Sequence, residues 1–332
     1  MLKKKKILVT GCAGFIGSHL CEKLLKFGYI VFGIDNLING KKLNLKKLLS
    51  NKNFNFFQTD INNEKVLNTC LDKCEYVFHL AAIADVVPSI SNPEIYFNSN
   101  VKGTFNLIKN CKNSKVKKII YAASSSCYGI PKKIPTPEDS PIFPKYPYAL
   151  TKRLAEEIII HFCKLYKISY VSLRLFNVYG PRARTSGAYG AVMGVFLAQK
   201  LAKKPFTVVG NGEQTRDFTY IDDITDAFIE MLKQTIKNEI FNVGSGRTYS
   251  INYLIELLGG GSVVNLPKRP GEPDSTFADI SKIKKKTSWK PKISFKKGVK
   301  KLLEEISDFN DAPIWDKKSI KKATKEWFDY IK

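Results

Sequence analysis

The first 27 residues constrain this chain more than any other stretch. Lys6-Ile7-Leu8-Val9-Thr10 is a short apolar run that reads as a buried parallel strand. Gly11-Cys12-Ala13-Gly14-Phe15-Ile16-Gly17 follows at once, and Ser18 to Phe27 then carries Leu20, Leu24, Leu25 and Phe27 at helical spacing. Strand, glycine turn and helix together make the context of a dinucleotide cradle. Gly11 permits a tight turn, Gly14 lets backbone approach a pyrophosphate, and Gly17 lets helix pack on strand. The helix start offers free N–H groups to the anion. The next strand, 30–34, runs into Asp35, a carboxylate about 20 residues on that can accept from a ribose 2′-hydroxyl. It would repel a 2′-phosphate, so NAD is expected over NADP, although Lys41 and Lys42 nearby pull the other way.

Strand and helix patterns then alternate. Strands are expected at 54–58, 75–80, 118–123 and 170–175, with helices at 63–71, 93–113 and 147–166. The expected fold is α/β: a Rossmann-type doubly wound parallel sheet with a smaller C-terminal substrate lobe. Ligands of such sheets sit beyond the carboxyl ends of the strands, where Asp60, Leu80-Ala81-Ala82 and Ser124 would converge. The NAD-binding lobe is assigned to 1–180, with 221–235 packing back on it. The substrate lobe is assigned to 181–305, with a helix at 188–203, a strand at 206–209 and the segment 241–301. The tail 306–332 carries Trp315 and Trp327 and is expected to form a capping helix.

Tyr148 and Lys152 carry the chemistry. The Tyr-x-x-x-Lys spacing occurs twice, but Gly129 and Pro131 interrupt Tyr128–Lys132, which cannot be helical. Tyr148 and Lys152 instead follow Pro147 at a helix start and share one face. A free phenol is a poor base at neutral pH, with a pKa near 10. The Lys152 ammonium and a cationic nicotinamide would favour phenolate, which could take a sugar hydroxyl proton as hydride leaves for NAD. Ser124 could hydrogen-bond the same oxygen.

Ten motifs now stand in order: TGCAGFIG at 10–17, Asp35-Asn36, Asp60-Ile61, HLAA at 79–82, Asn100-Val101-Lys102-Gly103-Thr104, SSSCYG at 124–129, YALTK at 148–152, LFNVYGP at 175–181, TRDFTYIDD at 215–223 and RPGEPD at 269–274. From about residue 5 to about residue 300 the chain resembles the extended short-chain dehydrogenase/reductases. Within them it looks most like the nucleotide-sugar 4-epimerases acting on UDP-glucose or UDP-N-acetylglucosamine. The resemblance implies NAD held through Phe15, Ile16, Asp35, Asn36, Asp60, Ile61, Leu80, Ala81, Ala82, Asn100, Tyr148, Lys152 and Phe176. It implies contacts to the nucleotide-diphosphate sugar from Ser124, Ser126, Asn177, Arg216 and Arg269, and an arginine fork suits a diphosphate. It puts Thr276 on the wall of the sugar pocket. Thr is small, so an N-acetyl group at C2 is expected to be accepted alongside plain hexoses. It also implies a homodimer built on the helices at 93–113 and 147–166.

Three hydroxyls at 124–126 decide between reactions. Related 4,6-dehydratases place Thr-Asp-Glu there, and their acid pair removes water. Ser125 and Ser126 cannot act as carboxylic acids, so 4-epimerisation through a transient 4-keto sugar is expected. A 4,6-dehydratase or other net oxidoreductase of the family is the alternative, followed by a non-catalytic dinucleotide binder. Cys127 and Asp85 read as packing residues.

Composition bounds the rest. The formal net charge is +24, almost wholly from Lys spread along the chain, with no aromatic-interleaved basic motif. No specific nucleic-acid partner is therefore expected, only weak salt-dependent binding to anions. No apolar run approaches the ~18 residues of a membrane span. Lys3 to Lys6 before Ile7-Leu8-Val9 mimics a secretory start, which Thr10, the glycines and His19 interrupt. Seven scattered cysteines make no disulfide framework and no metal site, and the cytoplasm fits best.

Overall fold

A computed structural model of the chain describes residues 5–183, 192–310 and 312–331. Seven strands form one sheet: β1 (Lys6–Thr10), β2 (Ile30–Asp35), β3 (Phe54–Gln58), β4 (Tyr76–His79), β5 (Lys118–Ser124), β6 (Ser169–Leu175) and β7 (Glu239–Val243). All pairings are parallel, in the order β7-β6-β5-β4-β1-β2-β3. The order reverses between β1 and β4, so a crevice opens beyond their carboxyl ends.

The strands read as unbroken apolar runs because both faces are covered. Alternate residues divide between two cores. Ile7 and Val9 of β1, with Ile120 and Ala122 of β5, face one core. Leu8, with Ile119, Tyr121 and Ala123, faces the other. Helix α1 (Phe15–Lys26) covers the first face through Leu20 and Leu24. Helices α2 (Glu64–Leu71), α3 (Gly103–Cys111) and α4 (Pro147–Leu165) cover the second with Leu67, Leu107, Ile108, Ala155 and Ile159.

Three differences from the sequence expectation bear on the site. The helix expected at 93–113 is interrupted: Pro93–Tyr96 leads into a π-helical turn, Phe97–Lys102, before α3. The widened turn carries Asn100, which is buried and clamps the Ile83 backbone at both its N–H (2.8 Å) and its C=O (3.1 Å). Secondly, β7 lies inside the stretch assigned to the substrate lobe, yet it pairs with β6. Helix α6 (Ile221–Glu230) also packs on α1. The smaller lobe therefore consists of two interludes around these two elements. Its strands are Phe206–Val209 with Val263–Leu266, and Thr215–Arg216 with Tyr249–Ser250. Helix α5 (Val192–Leu201) matches the later part of the helix expected at 188–203, whose residues 188–191 lie outside the described residues. Thirdly, the described residues of the tail hold a 3-10 turn, Ile306–Phe309, and two short α-helices, Lys317–Ala323 and Lys325–Tyr330, rather than one helix. Among the described residues no helix is long and apolar enough to cross a membrane, and no cluster could hold a metal.

Candidate active site

The glycine turn joins β1 to α1 at the floor of the crevice. Gly11 has φ +73°, and a Cβ there would lie 2.8 Å from the Ala81 amide nitrogen. A Cβ on Gly17 would collide with the Gly11 carbonyl oxygen, so only glycine lets α1 start this close to the turn. Gly14 caps α1 without a side-chain hydrogen bond, and no acidic residue stands in its first turn. The N–H groups around Phe15 and Ile16 are thus left for an anion. Asp35 ends β2 with its carboxylate accepting from Ala13 N–H (2.9 Å) and Leu37 N–H (2.8 Å). Burial raises its pKa, and these amides oppose the rise. Asn36 donates to Asp60 at 2.6 Å, bridging the ends of β2 and β3. Leu80 and Ala81 N–H both donate to Thr10 Oγ1 at 3.2 Å, so the loop after β4 is stitched to β1. A turn that a Cβ would fill, an uncapped helix start and a carboxylate beyond β2 fit a dinucleotide.

Ser124, Tyr148 and Lys152 meet beyond β5. Pro147 starts α4 after the extended Tyr146, which aims Tyr148 at the strand end. The Tyr148 phenol faces Ser124, which opposes the rise in its pKa. Ser124 Oγ lies 2.8 Å from Ser126 Oγ and accepts the Ser126 N–H at 3.2 Å. Lys152 is buried one turn on. Its Nζ donates to Ala122 O at 2.6 Å and lies 4.3 Å from the Tyr121 ring centroid. Burial raises the Tyr148 phenol above its ordinary pKa, with Ser124 lowering it in part. Burial brings Lys152 down to about 7, with Glu156 opposing. In the protein by itself, desolvation therefore favours the phenol form of Tyr148.

Behind the three stands a buried ionic network that the motif reading missed. Arg174 of β6 donates to both Glu156 oxygens, with Nη2 to Oε2 at 3.0 Å, and through Nη1 to the Tyr128 hydroxyl at 2.9 Å. Ser172 Oγ donates to Glu156 Oε1 at 2.6 Å. Glu156 lies four residues after Lys152 on the same face of α4. An arginine within the apolar run Tyr170 to Leu175 was the available signal, since such a charge is buried only with a partner. His79 of HLAA bridges Thr10 and Thr104, each at 2.8 Å, and burial lowers it to about 3, so it is a neutral structural tie. Phe176 is buried against Tyr128, and Ile61 C=O accepts from Asn106.

The far end of the crevice collects Asn177, Arg216, Arg269 and Thr276. Arg269 Nη1 donates to Glu272 Oε1 at 2.8 Å, and Arg216 Nη2 lies 3.9 Å from Glu272 Oε2. Two guanidinium groups thus share one carboxylate where the resemblance puts a diphosphate. Thr276 Oγ1 donates to Asn177 Oδ1 at 2.7 Å and accepts from Asp217 N–H at 3.2 Å. Beside them is a cleft of about 180 Å³ lined by Val209, Asn211, Gln214, Arg216, Glu272 and Asp274 among others. Tyr146, also unforeseen, stacks on Tyr148 with centroids 6.5 Å apart.

The model of the NAD dependent epimerase/dehydratase family matches residues 7–244. Three solved structures illustrate what the chain is similar to. UDP-glucose 4-epimerase from Thermotoga maritima, with UDP-glucose, is 35% identical over 91% of this chain and 98% of its own, with TM-score 0.85. UDP-glucuronic acid 4-epimerase from Bacillus cereus, with UDP-glucuronic acid and NAD, is 38% identical over 91% and 99%, TM-score 0.84. UDP-N-acetylglucosamine 4-epimerase from Methanobrevibacter ruminantium M1, with UDP-N-acetylmuramic acid, is 34% identical over 91% and 98%, TM-score 0.85.

Proposed function

Because this chain belongs to the NAD dependent epimerase/dehydratase family, we propose that it inverts C4 of a UDP-hexose or UDP-N-acetylhexosamine through a transient 4-keto sugar. The observation that carries this reading is the set of hydroxyls beyond β5, with Ser124 Oγ 2.8 Å from Ser126 Oγ beside Tyr148 and no carboxylic acid among Ser124, Ser125 and Ser126. NAD, when bound, supplies a reversible acceptor for the C4 hydride. The turn from Gly11 to Gly17, the start of α1, Asp35 and Lys152 are the residues that would hold it. Tyr148 takes the proton of the C4 hydroxyl as the C4–O bond becomes a carbonyl, acting as the phenolate that the positive charge of bound NAD together with the Lys152 ammonium would favour. Ser124 fixes that oxygen beside the phenol. Arg216 and Arg269 hold the diphosphate while the sugar turns over, and Tyr148 returns the proton when hydride re-adds to the opposite face. Dehydration would require a carboxylic acid beside C5 and C6, which Ser125 and Ser126 do not supply.

The test is incubation with UDP-glucose, UDP-N-acetylglucosamine and UDP-glucuronic acid, followed by proton NMR. The 4-epimer should accumulate to equilibrium with no net NADH, and denaturation should release NAD rather than NADP. A 4-keto-6-deoxy product in quantity, or no conversion of any sugar, overturns the reading.

Thr276 sets the sugar size. Thr276→Tyr should lower turnover of UDP-N-acetylglucosamine at least about tenfold more than that of UDP-glucose, by excluded volume in the pocket. Thr276→Ser, which keeps the hydroxyl bond to Asn177, serves as control. Equal losses on both sugars would mean that the lost hydrogen bond, not volume, is responsible.

We also infer a homodimer. Ile95, Phe97, Phe105 and Leu150 stand exposed on the helices at 93–111 and 147–165, which pack together. Four such side chains on one pair of helices favour a second copy as cover. Light scattering that reads a single chain's mass at micromolar protein would refute this. The seven cysteines are free and buried, which suits a reducing cytoplasm.

A further inference from the structure

The resemblance ends near residue 300, yet the chain beyond it reaches the crevice. Trp327 is 1% exposed although it lies on a helix of six residues. Its indole N–H donates to Pro270 O at 2.8 Å. Its ring lies 5.6 Å from the ring of Tyr146, and the Arg269 guanidinium stands 6.0 Å from its centroid. The neighbouring Glu326 accepts from Ser91 Oγ, and a Cβ on Gly271 would lie 2.7 Å from Ile331 Cγ2. One helical turn therefore rests on both sides of the crevice. Ser91 and Tyr146 belong to the large-sheet lobe, and residues 269–271 to the substrate loop.

We infer that Trp327 is a positioning residue for the nucleotide diphosphate: it holds Arg269 in place at the far end of the crevice. This rests on the proposed function, which assigns Arg269 to the diphosphate. An exposed arginine samples many rotamers, and fixing one costs binding free energy. Here the Glu272 carboxylate at 2.8 Å and the Trp327 ring help to fix it before substrate arrives. The ring is itself held by the Pro270 carbonyl and by Tyr146, so the guanidinium is pinned to the loop that carries it. A diphosphate displacing Glu272 would leave the contact with the Trp327 ring in place. Tyr146 stacks on Tyr148, so the ring that Trp327 touches also lies beside the proposed base.

The probe is UDP alone, titrated calorimetrically into the full chain, which reads affinity without turnover. Trp327→Leu keeps an apolar side chain but removes the ring face and the indole donor. It should weaken UDP on the order of tenfold, while the NAD released on denaturation stays unchanged. Trp327→Phe, which keeps a smaller ring face but loses the indole donor, should recover most of the affinity and leave a loss of about two- to threefold. In an Arg269→Ala background, Trp327→Leu should cause no further loss, because its effect passes through that arginine. Trp327→Leu that melts lower yet binds UDP like wild type makes Trp327 a packing anchor and overturns the inference. So does an equal loss with and without Arg269. If Trp327→Leu does not fold, Trp327→Phe decides through the same cycle: a loss that vanishes without Arg269 supports the inference, whereas no loss, or one that persists, overturns it. Wild type that binds no UDP removes the proposed function, and the inference falls with it.

Discussion

Tyr148→Phe should lower kcat by roughly a thousandfold while leaving the fold and the bound NAD in place. The phenylalanine ring keeps the stacking on Tyr146 and fills the same half-buried site. What it removes is the hydroxyl facing Ser124, the only group of that side chain able to take and return a proton. KM for the UDP-sugar should change little, since the phenol contributes to proton transfer rather than to holding the diphosphate. Steady-state assays with both epimers, and mass spectrometry of released dinucleotide, make the comparison. Near-normal turnover would refute the assignment. Lys152→Ala should differ by damaging NAD retention as well as turnover, and it also removes the bond to Ala122 O.

Arg174→Ala should cost about 3–5 kcal/mol of stability, because it strands the buried Glu156 carboxylate. Both side chains are nearly inaccessible. Burial by itself pushes Glu156 up, but Arg174, then Ser172 and Arg153, bring its carboxyl below the ordinary value. In wild type that stabilisation is therefore present above the ordinary carboxylate pKa, ~4.3, and is lost as pH falls through the lowered folded value. In the variant burial acts without that partner, and the stranded carboxyl takes up a proton more readily. Its deficit should be greatest at neutral pH and shrink as pH falls. Urea unfolding of both proteins at several pH values, under saturating NAD, reads this directly. A deficit independent of pH would mean that the lost bonds to Tyr128 and to the Glu138 carbonyl matter more than the charge.

The chain's local grammar determined a great deal. β1, its glycine turn and α1 were readable because each rests on neighbours within a few residues: apolar runs for strands, missing Cβ atoms for the turn, helical spacing for α1. Tyr148 and Lys152 were readable for the same reason, being one turn apart behind Pro147. Their pKa directions were not, because desolvation depends on what covers them. The packing that buries Lys152 against Tyr121 brings together side chains distant in sequence. Tertiary structure alone decided the rest. β7 joins the large sheet because the edge of β6 is open to it, not because residues 239–243 differ from a substrate-lobe strand. Arg174 finds Glu156 across a strand–helix interface, and Thr276 finds Asn177 across two loops. Trp327 meets Tyr146 and Arg269 only after the tail has crossed from one lobe to the other. Such encounters leave no periodicity in the sequence. Their energy comes from burial and pairing that exist only once the chain has closed on itself.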